Sequence, residues 1–392
     1  MNILIISFDA DPPYMGGVST ITNVLARAFM AKGHFCALGF MENSEFPSVF
    51  FQHKVKLVKE NSSYIEEFFN EHHFDIILNQ LPSLTDFEFI TNFSLGNCKI
   101  ISVYHGRPML HTIMLHQLLK IYADSNNLAY KFYTLLKIPL LPFMKFIGKK
   151  RGLIKFRNID FYSDKIVLLS DKFFPNWFNL VPKTDRQKLI AIGNPLVFDE
   201  YFPVESVEQK ELLVIVVADF NHVKRTKIVL KIWKKIEANP CFKEWSFELI
   251  GSGDELVSLK KFAKKLKLEN VKFMGSDNPF SYYKRAQIMM MTSKHEGWPM
   301  VLMEGQQMGV IPISFNSFES ITDIIDDKIN GFIIPNNDIN YFTEMMKELM
   351  LNEQERKKMS VNAIHSSSRF NKDHVVGLYL SMFNEILNSK KD

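Results

Sequence analysis

His295-Glu296-Gly297-Trp298-Pro299-Met300-Val301-Leu302-Met303-Glu304-Gly305 carries two carboxylates eight residues apart, across a Gly/Pro turn that opens onto an apolar run. Glu296 sits in the turn. Glu304 falls about one turn into the helix that the apolar run predicts, on the side toward the helix start. Pro299 has no N–H, but the backbone N–H groups of Trp298, Met300 and Val301 point into the space at that start, where the helix favours anions such as phosphate. Phosphate alone gives no reason for two acids beside it. A ligand with hydroxyls on either side of its phosphates does, because carboxylates accept hydrogen bonds from sugar hydroxyls. Ribose, diphosphate and hexose in that order, a nucleotide sugar, has this layout.

Strands and helices alternate on both sides of the stretch. Residues 3–7, 36–40, 76–79, 99–104, 165–170 and 189–192 read as strands. A helix is expected over 18–31, with Ile21, Val24, Leu25 and Phe29 on one face and Gly33 as its stop. The pattern restarts near Leu212, with strands at 212–217, 246–250, 271–274, 288–292, 310–314 and 331–334 and helices at 227–238, 256–266 and 301–308. Such alternation predicts an α/β fold of parallel sheets covered on both faces. Two Rossmann-like domains are expected, 1–198 and 199–370, joined by a linker within 194–209. The last segment, 371–392, is expected to form a helix that packs back across the domain boundary. Loops 9–17, 104–107, 218–225, 251–253 and 293–300 all leave carboxyl ends of strands, where open α/β sheets bind ligands. The ligand site is therefore expected in a cleft between the domains.

Composition narrows the function classes. The chain has 392 residues, 46% hydrophobic and 23% charged, with a net charge of +4. That suits two globular domains and gives no reason to expect nucleic acid as a partner. Cys36, Cys98 and Cys241 are too few and too far apart for a disulfide framework or a zinc site. The N-terminus runs directly into a strand, and no uncharged apolar run reaches membrane-spanning length, so a cytoplasmic location is expected. Asp9-Ala10-Asp11 reads as a loop, and Gly251-Ser252-Gly253, lacking a third glycine, as a turn lining the cleft. Residues 130–159 differ from the rest: eight Lys/Arg and no Asp or Glu, interleaved with Leu, Ile, Phe and Met. This composition suits either an anionic membrane surface, giving peripheral association with the inner face of a membrane, or a first-domain helix pair with its apolar faces inside and its lysines in water. Pro139 and Pro142 argue against one continuous helix through it.

The combination of Glu296-x7-Glu304, Gly297, Pro299, the helix 301–308 and Gly309-Val310-Ile311-Pro312 resembles the signature of retaining glycosyltransferases of family 4, as found in bacterial glycan and capsule assembly. Gly16-Gly17-Val18 after the first strand, Asn194-Pro195, Lys224 after the first strand of the second domain, and Asn330-Gly331-Phe332 extend the resemblance over nearly the whole chain. The resemblance implies the GT-B fold, two Rossmann-like domains with a cleft between them. It implies transfer of a hexose from a UDP- or GDP-sugar to a glycan or lipid-linked acceptor, with retention of configuration. No cofactor and no metal site are expected. Carried over to this chain, it gives His105, Glu296 and Lys224 as catalytic residues. The donor-binding set is Gly16, Gly17, Lys224, Arg225, Met274, Glu296, Gly297, Trp298, Pro299, Met300, Val301 and Glu304. Within that set, Glu304 takes the ribose hydroxyls, Glu296 the transferred sugar and Lys224 the diphosphate. The Gly17 amide reaches the diphosphate from the first domain, and the base lies near Met274-Gly275. His105 lines the cleft by the reacting sugar.

One position departs from that pattern. The family has an Arg five residues before the phosphate-binding Lys, and here that position is Asp219. Arg225 is the replacement cation expected from next door. If it does not serve, the alternative is a catalytically weak nucleotide-sugar-binding partner in a glycan assembly complex.

Overall fold

The structure, a computed structural model, describes residues 1–9, 17–43, 47, 49–93, 95–110, 132 and 136–389. Gly16, Ala10-Asp11 and the start of the basic segment, including residues 130, 131 and 133–135, lie outside the described residues. The first sheet contains β1 (Asn2–Ile6), β2 (Phe35–Phe40), β3 (Lys54–Lys56), β4 (Ile76–Asn79), β5 (Lys99–Tyr104), β6 (Lys165–Leu168) and β7 (Leu189–Ala191), in the order β3-β2-β1-β4-β5-β6-β7. The second contains β8 (Leu213–Val217), β9 (Ser246–Ile250), β10 (Val271–Gly275), β11 (Ile288–Met291), β12 (Ile311–Asn316) and β13 (Phe332–Pro335), in the order β10-β9-β8-β11-β12-β13. Every pairing is parallel.

Central strands are apolar throughout because helices cover both faces. Ile3, Leu4 and Ile5 of β1, and Leu213, Val214 and Ile215 of β8, are wholly buried. The edge strand β10 instead alternates, with Lys272 and Met274 turned outward. In each sheet the strand order reverses once, between β1 and β4 and between β8 and β11. Parallel sheets open a crevice at the carboxyl ends of such strands. The loops after β1, β4, β8 and β11 therefore occupy the positions where ligands bind in this architecture.

The chain crosses between the domains twice, and the crossings are tied together. Leu196 N donates to Phe370 O at 2.9 Å, and Lys372 pairs with Asp199. After the return crossing, the helix Lys372–Asn388 lies on the first-domain helix Gly17–Ala31. Phe383 and Tyr379 place their rings 5.6 and 6.2 Å from Phe29, and Lys165 pairs with Glu385 at 3.1 Å.

The helix Leu141–Tyr162 shows what the prolines at 139 and 142 do. Pro142 lies in its first turn, where the missing N–H costs nothing, and the helix then runs unbroken for 22 residues. Its buried face carries Leu141, Phe156 and Ile159. At 3.6 residues per turn, Phe143, Phe146, Ile154 and Phe161 share the opposite face with Lys150 and Arg157. Those four apolar side chains are 62%, 65%, 47% and 77% exposed.

Phe383 is fully buried between helices of the first domain and the C-terminal segment. Phe383→Ala is expected to cost about 3–5 kcal/mol, the usual range for emptying an aromatic core site. The check is the denaturant midpoint of the full chain.

Candidate functional site

The loops after β8 and β11 are locked to one another before any side chain reaches the cleft. Lys294 N donates to Val223 O at 2.7 Å, and the Thr292 hydroxyl donates to Lys224 O at 3.1 Å. Arg225 completes the join. Its Nε donates to Thr292 O at 2.6 Å and its Nη2 to Ser293 O at 2.8 Å, while Asn336 and Asn337 accept from Nη2 and Nη1 at 3.0 and 2.6 Å. Arg225, expected to supply the second diphosphate cation, is engaged here by protein oxygens. Its φ is +51°, and four of its five N–H groups donate to protein oxygens. Arg225 holds the two loops in register.

On this platform Lys224 and Glu296 meet. Lys224 Nζ lies 2.7 Å from Glu296 Oε1, with both side chains largely withdrawn from solvent. Asp219 is exposed beside them, its Oδ2 accepting from the Asn221 amide at 2.9 Å. Gly251-Ser252-Gly253 packs against the same loop. Gly251, at φ +137°, would bring a Cβ to 1.9 Å from Ala218 O, and its N–H donates to Gly275 O at 2.7 Å. This turn joins the Lys224 loop to Met274-Gly275, where Met274 is exposed at the sheet edge.

The stretch quoted at the outset runs from the β11 loop into the helix Met300–Gln307, with Pro299 at its N-cap position. Met300 and Val301 open the helix, where no preceding turn accepts from their amides. Glu304 follows one turn on and is partly buried. Tyr283 Oη donates to its Oε2 at 2.9 Å. Burial without a neighbouring cation pushes the Glu304 carboxyl up to about 7, against the pull of the Tyr283 hydrogen bond. The Trp298 side chain points away from the cleft. Its Nε1 faces Met303 Sδ at 2.7 Å, its ring meets Phe370 edge-on at 5.6 Å, and it covers Gly193 so closely that a Cβ there would come within 2.6 Å. Trp298 is thus a wedge between the two crossing segments, and only its backbone is available to a ligand.

The first domain approaches this platform through β5. Gly297 lies against the backbone of His105-Gly106, where a Cβ would come within 2.4 Å of His105 O. Ser320 Oγ fixes Gly297 from the other side, donating to its carbonyl at 2.7 Å. Around this contact Arg107 pairs with Glu319 at 2.8 Å, and Lys172 pairs with Asp323. The His105 ring is held by Gln80, whose Oε1 lies 2.5 Å from Nε2. Burial lowers the His105 pKa to about 4, so the imidazole is neutral at ordinary pH. With Nε2–H donating to Gln80, Nδ1 is left as an acceptor.

Lys224, Glu296, Gly297 and His105 therefore come together, and Met300, Val301 and Glu304 line the adjoining helix start. Gly17 opens its own helix, exposed, and a Cβ there would meet nothing within 4 Å. Packing within the protein does not require a glycine at 17. Sequence reasoning did not identify Gln80 or Tyr283. Gln80 ends an apolar strand without a motif around it, and Tyr283 sits in a short helix 21 residues before Glu304.

The raised pKa of Glu304 has a defined sign for stability. An ordinary glutamate ionises near 4.5, whereas this one holds its proton to about 7 when folded. Between those values the unfolded chain releases a proton that the folded chain keeps, so this group lowers stability as pH rises to about 7 and leaves it lowered above. Glu304→Gln is expected to raise Tm at pH 8 and to leave it nearly unchanged at pH 5. Thermal denaturation of both proteins at the two pH values is the check.

Comparisons with known proteins bear on the fold and on the second domain. Residues 197–366 match the family model described as glycosyl transferases group 1. Over 196 residues the chain is 30% identical to an uncharacterized glycosyltransferase of Haemophilus influenzae, covering 49% of this chain and 53% of that one. It is 28% identical to the amylovoran biosynthesis glycosyltransferase AmsD of Erwinia amylovora, covering 49% and 51%. A Campylobacter jejuni α-1,4-N-acetyl-D-galactosaminyltransferase acting on an undecaprenol-diphosphate-linked glycan is 26% identical, covering 52% and 56%. The chain thus spans about half the length of the curated relatives it matches. Among solved structures, Anabaena HepE in complex with UDP superposes with a TM-score of 0.73 at 13% identity, covering 98% of this chain and 100% of HepE. The crystal structure of TarM gives 0.72 at 11%, covering 98% of each chain. The whole chain has the GT-B fold, two Rossmann-like domains facing a common cleft, and its second domain carries the match to glycosyl transferases group 1.

Proposed function

We propose that this protein is a retaining glycosyltransferase of family 4 type. It moves a hexose from a UDP- or GDP-sugar to a glycan or lipid-linked acceptor in polysaccharide biosynthesis, on the cytoplasmic side of a membrane. The observation that carries this reading is the meeting of Lys224 and Glu296 at the point where the second sheet's strand order reverses, with the loop of Glu296 closed against the His105 backbone after β5. In this reading Glu304 takes the ribose, Met274-Gly275 borders the base, and Lys224 with the Gly17, Met300 and Val301 amides faces the diphosphate. Glu296, Gly297 and the Trp298 amide contact the hexose. His105, neutral and oriented by Gln80, offers a hydrogen bond at the hexose without adding a charge.

Glycosyl transfer breaks the bond between C1 and the leaving phosphate oxygen and forms one between C1 and the acceptor oxygen. Attack on the face that the diphosphate leaves retains configuration, and the acceptor proton passes to the departing phosphate. Negative charge grows on that phosphate, so fixed positive groups aimed at it are the main catalytic device. Lys224 fills this role, and its pairing with Glu296 keeps both groups at the place where phosphate and sugar join. No protein nucleophile is needed, which suits a cleft whose central carboxylate is already in an ion pair. The engagement of Arg225 elsewhere favours one second reading: with Asp219 in place of a cation, the protein binds nucleotide sugars without turning them over.

The exposed stripe of Phe143, Phe146, Ile154 and Phe161, flanked by Lys149, Lys150, Arg151 and Arg157, is proposed as the contact with an anionic membrane. Apolar side chains enter the headgroup region while the cations meet anionic lipid. Among the described residues no helix is long and apolar enough to cross a bilayer.

A screen of UDP- and GDP-sugars for turnover, with the product's anomeric configuration read by NMR, tests the activity. Lys224→Ala is expected to lower kcat by about 10²–10³-fold, the range seen on removing one charge-stabilising group, with a smaller effect on donor Kd. Unchanged kcat overturns the role of Lys224, and binding without turnover by the wild type selects the second reading. On the membrane side, the wild type is expected to sediment with phosphatidylglycerol vesicles at low salt and Phe143→Ser/Phe146→Ser to remain in the supernatant. Absence of the wild type from the pellet rejects the membrane contact.

A further inference from the structure

Glu304 is an unusual carboxylate for a ligand-facing position. It lies largely out of water, and among the described residues no cation pairs with it. Among the described residues its side-chain hydrogen bond is to Tyr283, whose hydroxyl donates to Oε2 at 2.9 Å. A buried carboxylate with a single hydrogen bond is free to turn about its last torsion unless that bond is itself rigidly anchored.

Tyr283 is anchored on every side. Its ring has no exposed surface and meets Phe198 at 6.2 Å. Its carbonyl accepts from Lys210 Nζ at 2.7 Å, and the same ammonium reaches Ala286 O at 2.8 Å, closing the last turn of the helix Phe280–Arg285. The Glu304 helix is tied to the same chain segment. Gln307 Nε2 donates to Phe198 O at 3.1 Å and to Glu200 O at 3.0 Å. The inter-domain linker thus grips both the helix bearing Tyr283 and the helix bearing Glu304, and it sets the distance between them. Simple core packing does not call for this. A phenylalanine would fill the same volume without a hydroxyl aimed at a carboxylate.

We infer that Tyr283 is a positioning residue for nucleoside recognition: by occupying Oε2 of Glu304 it presents Oε1 as the acceptor for the ribose hydroxyls of the donor. The inference rests on the donor-binding reading of Glu304. It adds a source of selectivity for ribose over deoxyribose, namely a carboxylate whose free oxygen is aimed by a fixed phenol. Loss of a hydrogen bond to a charged group typically weakens binding about tenfold or more. That discrimination belongs to the aimed carboxylate and not to the pocket as a whole.

The test is isothermal titration of the full chain with UDP and with 2′,3′-dideoxy-UDP, and with the GDP pair if UDP does not bind. The wild type is expected to prefer the ribose form by about tenfold or more. Tyr283→Phe, shown to be folded by its melting curve, is expected to lose most of that preference, with dideoxy affinity within about twofold of wild type. If Tyr283→Phe weakens both nucleotides equally and keeps the preference, Tyr283 is a packing residue only and the inference is overturned. Glu304→Gln separates the two levels. Collapse of the preference in Glu304→Gln but not in Tyr283→Phe leaves Glu304 as the ribose ligand and removes Tyr283 from the role. If the wild type binds neither nucleotide pair, the donor-binding reading itself fails.

Discussion

The missing Cβ at Gly297 is the constraint on which the cleft depends. The loop after β11 approaches the first domain until Gly297 touches the backbone of His105-Gly106, at a distance no other residue tolerates. That contact brings the loop bearing Glu296 against the backbone of His105-Gly106, while Ser320 holds the Gly297 carbonyl from behind. The ion pairs Arg107–Glu319 and Lys172–Asp323 surround it. Exposed pairs of this kind contribute little individually. They orient the two surfaces, and the backbone contact sets how closely those surfaces approach.

Within the second domain, hydrogen bonds to main-chain oxygens do most of the positioning. Arg225 clamps the loops after β8 and β11 with bonds to Thr292 O and Ser293 O. Lys224 and Glu296 extend from opposite sides of that clamp. A lysine on a free loop would lose several rotamers' worth of entropy on reaching a phosphate. A lysine held against Glu296 has already lost part of it. The arrangement holds the Lys224 ammonium and the Glu296 carboxylate within one hydrogen-bond length of each other.

Burial treats the titratable groups of the cleft differently according to their partners. Glu296 has a lysine. Glu304 has only a phenol, and burial raises its pKa; His105 has only an amide, and burial lowers its pKa. Near neutral pH His105 is uncharged, while Glu304 lies close to its own pKa and is an ionised carboxylate above it.

Much of this molecule was legible from residue order. Apolar runs such as Ile3-Leu4-Ile5 and Leu213-Val214-Ile215 specify buried parallel strands, because only strands covered on both faces lack polar alternation. The spacing of Glu296 and Glu304 across a Gly/Pro turn specifies a turn followed by one helical turn, since both are local geometries. Short-range rules do not reach further. Arg225 is adjacent to Lys224 in sequence, yet its side chain bonds carbonyls of a loop 67 and 68 residues away. Trp298 follows Gly297 directly, yet its ring is drawn into the apolar gap between the crossing segments by Gly193 and Phe370. Gln80 and Tyr283 acquire their partners only when separate strands and helices are packed together. Sequence by itself determined the elements, their order and the local shape of the Glu296–Glu304 turn, because those follow from backbone sterics and hydrophobic periodicity. Which side chain clamps the loops, which aromatic is a wedge and which groups hold Glu304 and His105 was decided only by tertiary structure, because hydrogen bonds and close contacts between distant segments do not exist until those segments pack together.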